Sequence, residues 1–104
     1  MAAQPFGLPP SSLERILETI GRFAEVERVT LFGSRAMGTD RPGSDIDLCL
    51  IAPGITLERQ LLIARAIDEL DLPWQVDLIF MHQIDNAALR DHIDRVGVTL
   101  RPLG

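Results

Sequence analysis

The stretch Asp45–Ile51, reading DIDLCLI, constrains this chain more than any other part of it. In an extended conformation Ile46, Leu48 and Leu50 point to one side and Asp45, Asp47, Cys49 and Ile51 to the other, because side chains alternate along a strand. Toward its end the segment is apolar on both sides, so both sides must be covered, and a strand covered twice belongs inside a sheet layered with helices. Its beginning differs, since two acids stand at i and i+2 on the same side. With 104 residues the chain has material for one such core rather than two. Residues 1–104 are therefore expected to form a single domain.

The flanking segments fit that architecture. MAAQPFGLPP carries three prolines and a glycine and is expected to be an irregular arm over residues 1–10, docked by Phe6 and Leu8. Ser11 and Glu14 have the spacing of a capping box, and Leu13, Ile16, Leu17, Ile20 and Phe23 recur at helical intervals. Val26 to Phe32 reads as a buried strand stopped by Gly33, and Gly33 to Ser44 as a loop with room for one helical turn after Ser34. Pro53 and Gly54 break the Asp45–Ile51 strand. Thr56 can then cap a helix whose apolar stripe is Leu57, Leu61, Ala64, Ile67 and Leu70. A third strand follows from Trp74 to Phe80. Asp85 is a candidate cap for a last helix, with Ile84 and Leu89 as a hydrophobic staple, and Gly97 ends it. The tail VTLRPLG has room to add an edge strand. The expectation is an α/β or α+β fold, with no internal repeat and no linker dividing it.

Composition excludes several classes of function. Hydrophobic residues make up 46% of the chain, too many for a disordered segment. No apolar run approaches the ~20 residues of a membrane span, and no basic residue precedes an apolar run at the N-terminus. A soluble, untargeted cytoplasmic protein with no membrane contact is expected. The net charge is −5, and all ten basic residues are arginines scattered from Arg15 to Arg101, so nonspecific nucleic-acid binding is disfavoured. Arginine suits bidentate contacts to phosphate, although a GC-rich genome also yields an all-arginine chain. Cys49, the single cysteine, has no internal disulfide partner and reads as a buried, inert thiol.

The chemistry concentrates between Leu31 and Leu48, in LFGSRAMGTDRPGSDIDL. Gly33 and Ser34 directly follow a strand, where backbone N–H groups and a hydroxyl can converge on a phosphate, or where the chain simply turns. Asp45 and Asp47, roughly 7 Å apart along one strand face, describe a Mg²⁺ site with open positions for substrate oxygens. Their alternative is a solvated strand edge. Asp77 lies mid-strand in WQVDLIF, where an unpaired buried carboxylate costs several kcal/mol. It needs either a cation shared with Asp45 and Asp47, if the two strands are neighbours, or a buried arginine. Arg35 and Arg41 stand within reach of the same loop, as phosphate contacts or as surface ion pairs. His82 and His92 lie outside the cluster and read as packing or surface residues.

Taken jointly, Gly33-Ser34, ten intervening residues, Asp45-Ile46-Asp47 and a later Asp77 resemble the signature of the DNA polymerase β-type nucleotidyltransferase superfamily. GSRAMG, SDIDL and VDLI are especially similar to its minimal nucleotidyltransferases, often encoded beside a HEPN-domain partner as antitoxin and toxin. The resemblance spans roughly residues 12 to 100. It implies a small mixed sheet flanked by helices and transfer of a nucleoside monophosphate from a triphosphate with release of pyrophosphate. In the antitoxin branch it implies adenylylation of a tyrosine hydroxyl on the HEPN toxin, within a hetero-oligomer. Carried over, Gly33 and Ser34 hold the triphosphate of ATP, Asp45, Asp47 and Asp77 bind two Mg²⁺ ions, and Asp77 is the candidate base. Arg35 and Arg41 neutralise the departing pyrophosphate. Two other readings stand beside this one: an antitoxin that neutralises by binding alone, and a stand-alone transferase for a small hydroxylated acceptor.

Overall fold

The computed structural model describes residues 5–102. The chain opens with a 3-10 turn, Pro5–Gly7, then runs through α1 (Pro10–Gly21), β1 (Arg28–Phe32), α2 (Gly33–Met37), β2 (Ile46–Ile51), α3 (Leu57–Asp68) and β3 (Val76–Phe80). A second 3-10 turn, Met81–Gln83, leads to α4 (Ala87–Val96) and β4 (Val98–Pro102). The four strands form one sheet in the order β3-β2-β1-β4. β1 is antiparallel to both its neighbours, whereas β2 and β3 are parallel. A parallel pair needs a long crossover, which α3 supplies. The tail forms an edge strand, β4, beside β1.

β2 is covered on both faces, as its alternation requires. Ile46, Leu48 and Leu50 are fully buried with Val29 and Leu31 of β1, beneath Ile16, Leu17 and Ile20 of α1 and Ile63 and Ile67 of α3. On the opposite face Cys49 joins Phe32 and Ile93, with Ile79, Met81, Ile84 and Leu89 packed around them. Each fully buried leucine or isoleucine contributes roughly 1.5–3 kcal/mol, and the burial also pushes the Cys49 thiol up to about 11. Phe6 and Leu8 do dock the arm, Leu8 with no exposed surface. Residues 1–4 of that arm lie outside the described residues.

Four local expectations need correction. Helix α1 begins at Pro10 with Pro9 as its cap. Proline at the first helical position presets φ and has no N–H to satisfy, so Ser11 lies inside the helix and forms no capping box with Glu14. The cap of α4 is Asn86, not Asp85: Asn86 Oδ1 accepts from Ala88 N at 2.9 Å and Leu89 N at 3.1 Å. Ile84 and Leu89 share the second cluster, but not as a staple about that cap. Thr56 caps α3 as expected, accepting from Arg59 N. The apolar stripe of α3 is rotated, however. Gln60, Ile63 and Ile67 are buried, while Leu57 is 68% and Leu61 62% exposed. Finally, β3 is an edge strand and only half-buried until Phe80, so Asp77 is not the fully buried acid that WQVDLIF suggests.

Candidate functional site

The site is built where three strands reach the same row of the sheet. Phe32, the last residue of β1, pairs with Asp47 of β2, and Asp47 pairs with Asp77 of β3. Because β2 and β3 are parallel and in register, the two carboxylates project from the same face. That face is the one carrying Cys49, Ile79 and α4. After Phe32 the chain turns sharply at Gly33, whose φ is +76°, and enters α2. A β-carbon at Gly33 would overlap Asp47 Oδ2 and come within 3.1 Å of its Cγ. Glycine is thus required twice here, for the left-handed turn and for the close approach of the acid.

Helix α2 extends over five residues and ends at Gly38, φ +75°, so the helical turn after the Gly33-Ser34 step is real. No side chain among the described residues caps its N-terminus. The first N–H groups of a helix have no partner within it, and here they open beside Asp47. Donors and acids therefore stand side by side, the donors suited to phosphate oxygens and the acids to a cation.

The electrostatics of the acid row are strained. Partial burial, and then the negative charges of Asp77 and Asp45, hold the Asp47 carboxyl above its ordinary range, with a hydrogen bond to Asp77 acting in the same direction. Asp77 also accepts from Gln75 Nε2 at 3.3 Å. Asp45 is exposed, one residue ahead of β2. Among the described residues no three acid, imidazole or thiol groups are drawn tightly enough to enclose a cation. The chemistry of the pair nonetheless fits one: two adjacent all-oxygen donors with unrelieved like charge suit a hard divalent ion that keeps water and substrate oxygens in its remaining positions.

The two arginines separate. Arg41 lies on the exposed 38–45 loop. Arg35 turns inward and is 2% exposed; its guanidinium bonds protein carbonyls and is not brought to the acid row. His92, set aside on sequence grounds, is the residue that pattern reading missed. It is half-buried on α4 with its ring edge-on to Phe32 at 6.3 Å, and its charge favours the ionised form of Asp47. Its neighbour Ile93, on the buried face of α4, was the available signal. His82 is exposed, edge-on to Phe80. A hollow of about 600 Å³ along the edge strand β3 is lined by Trp74, Gln75, Val76, Asp77 and Leu78. Val76 and Leu78 belong to the α1/α3 face, while Asp77 is a member of the acid row.

The chain that carries this glycine turn and these paired acids resembles known proteins. Residues 14–101 match the family described as Polymerase beta, Nucleotidyltransferase. The chain belongs to this nucleotidyltransferase family. A search of curated proteins finds no match. Among solved structures, a chain of a toxin–antitoxin complex crystallised with AMP-PNP is similar at a TM-score of 0.68 and 23% identity, over 91% of this chain and 74% of its own length. A chain of the MntA–HepT toxin–antitoxin complex gives 0.66 and 18%, over 90% and 73%. A chain from the complex of a tri-AMPylated Shewanella oneidensis HEPN toxin with its MNT antitoxin gives 0.64 and 19%, over 88% and 71%. These likenesses establish a shared nucleotidyltransferase fold. No helix among the described residues is long and apolar enough to cross a membrane.

Proposed function

We propose that this nucleotidyltransferase is the antitoxin of a HEPN toxin and transfers AMP from ATP to a tyrosine hydroxyl of that partner. The observation that carries the reading is the row Phe32–Asp47–Asp77, with the Gly33 turn closing on Asp47. It supplies donors for a triphosphate beside acids for its counter-ion, on three neighbouring strands. The partner assignment draws on the relatives, two of which were crystallised as complexes, one with a HEPN toxin and one as MntA–HepT.

In this reading the N–H groups of Gly33 and Ser34 and the Ser34 hydroxyl hold the triphosphate, and Arg41 neutralises charge on the departing pyrophosphate. Asp45, Asp47 and Asp77 hold Mg²⁺, which would neutralise charge along the triphosphate. Asp77, on the open edge of the sheet, serves in this reading as the base for an incoming tyrosine hydroxyl. The tyrosine oxygen forms a bond to the α-phosphorus as the bond from that phosphorus to the bridging oxygen breaks. Pyrophosphate leaves with that oxygen, and the phenolic proton passes to Asp77.

The test is co-expression with the product of the adjacent gene, followed by size-exclusion chromatography and mass spectrometry of the partner. The expected result is one shared peak and a partner heavier by one or more AMP groups on tyrosine. Asp77→Asn is nearly isosteric but cannot accept a proton, so it should bind the partner and leave it unmodified. An Asp77→Asn protein that protects cells as well as the parent at low expression would replace catalysis with occlusion. A protein that elutes apart from its neighbour would return the small-acceptor reading.

A further inference from the structure

Arg35 is a buried cation held mainly by backbone carbonyls, with one long ion pair to Asp40. Its Nε and Nη2 donate to the Ser44 carbonyl at 3.1 and 2.7 Å, and its Nη1 donates to the Phe6 carbonyl at 2.7 Å. Nη1 also donates to Asp40 Oδ2 at 3.5 Å, the one carboxylate it meets among the described residues. The guanidinium lies 6.0 Å from the centre of the Trp74 ring. Burying a guanidinium with three bonds to carbonyls and only a long ion pair is costly, so the arrangement calls for a reason beyond ordinary core filling.

The reason lies in what the bonds connect. Arg35 belongs to α2, two residues after the Gly33 turn, and Ser44 immediately precedes Asp45. Between them no residue from 38 to 45 is buried. The loop has its own closure, in which Ser44 N donates to Arg41 O and Arg41 N donates to Ser44 Oγ. No buried side chain of the loop ties that closed turn to the rest of the fold. The two bonds from Arg35 to Ser44 do so, and they span the gap between the phosphate donors and the acid strand. The bond to Phe6 draws the N-terminal arm against the same point. Gly7, φ +70°, is packed so closely that a β-carbon would stand 3.0 Å from Arg35 Nη1 and 2.5 Å from Asp40 Oδ2.

We propose that Arg35 is a positioning residue of this site: it touches neither nucleotide nor cation, and it clamps Ser44 so that Asp45 enters β2 at a fixed distance from the Gly33 phosphate turn. The proposal rests on the nucleotidyltransferase reading for its consequence, while the clamp itself is a property of the folded chain. Lysine offers one ammonium in place of a planar fork and cannot reproduce two bonds to one carbonyl together with a third to Phe6. Gly7→Ala provides a second perturbation that keeps every charge and the arginine itself.

Both variants are to be purified with the partner protein and compared with the parent by hydrogen–deuterium exchange, thermal melting and AMP-transfer kinetics. For Arg35→Lys, exchange over residues 41–46 should accelerate by about tenfold while β1 and α1 remain protected. The kcat should fall by about 10- to 100-fold, as for misplacement of a catalytic group, with KM for ATP within about threefold of the parent. Gly7→Ala should move both readouts in the same direction by less. A KM for ATP raised about tenfold at unchanged kcat would make Arg35 a phosphate ligand and overturn the proposal. So would exchange that rises evenly over the whole chain, or not at all in 41–46. A parent that transfers no AMP would instead sink the proposed function, and the exchange pattern would then decide the clamp alone.

Discussion

Substituting alanine for Gly33 and, separately, for Gly38 isolates the contact on which the site depends. The two glycines bound the same short helix with φ of +76° and +75°, so the backbone strain of an added methyl is the same at both, about 1–2 kcal/mol. What differs is the surroundings. At Gly38 nothing lies within 4 Å of the new β-carbon, whereas at Gly33 it overlaps Asp47 Oδ2 and stands 3.1 Å from Cγ. That overlap is relieved by swinging the carboxylate by on the order of 1 Å, which moves the acid away from Asp77 and from the α2 donors. Both variants should therefore melt about 4–16 °C below the parent, from 4–8 °C per kcal/mol for a domain of this size. Only Gly33→Ala should lose AMP transfer, by about 10²-fold, the usual effect of a 1 Å misplacement. Melting curves and single-turnover transfer to the co-purified partner, both below the variants' melting range, measure the two effects separately. Equal activity in the two variants would refute the argument that Gly33 makes room for Asp47.

Asp47 carries a second prediction. Its carboxyl is held above its ordinary 3.8 by burial and by its acidic neighbours, so in that window the folded state binds more protons than the unfolded one and stability falls as pH rises. Asp77→Asn removes one of the charges responsible. In EDTA at pH 7 it should melt at or above the parent, with the difference closing as pH drops below about 4; a deficit at pH 7 that closes on acidification would reverse the sign. For α3, Ile63→Ala should cost about 2–5 kcal/mol in urea unfolding and Leu61→Ser less than about 0.5. The opposite order would restore the stripe Leu57, Leu61, Ala64, Ile67 and Leu70. At the end of α4, Gly97→Ala would press a methyl onto the Ile93 carbonyl oxygen and within 2.7 Å of Thr30 Cγ2, which should cost about 1–3 kcal/mol by the same assay.

Which features the amino-acid sequence revealed follows from how local their causes are. DIDLCLI announced a strand covered on two sides because alternation is a property of the strand itself, and Asp47 and Asp77 meet because β2 and β3 are neighbours, as the site chemistry required. The stripe of helix α3 was read correctly at Ile67 and Leu70 and on the wrong face at Leu57, Leu61 and Ala64, for a physical reason. Apolar residues at 63, 67 and 70 have helical spacing as well as those at 57, 61 and 64, and contact with the sheet selects the former. Gln60, polar yet buried, could not be anticipated from hydropathy. Asp77 looked deeply buried because its segment is apolar, but exposure depends on the number of neighbouring strands, and β3 has one. Arg35 was grouped with Arg41 by proximity in the chain. Its true partners, Ser44 and Phe6, lie on opposite sides of it in the sequence, and the Phe6 contact spans 29 positions.

The row through Phe32, Asp47 and Asp77 makes the sheet a ruler. Strands repeat at about 4.8 Å, so the transverse distances among turn, first acid and second acid are set by hydrogen-bonded backbone. The loops between those strands can lengthen, shorten or change composition without altering the graduations. A slip of one position in β2 has the opposite effect: it would send Asp47 into the α1/α3 core and bring a leucine or isoleucine to the row. Such a lineage should thus tolerate wide drift in loops and helix surfaces and almost no insertion within β2 or β3. Chains of similar fold at 18–23% identity and TM-scores of 0.64 to 0.68 are where that expectation can be checked, strand by strand.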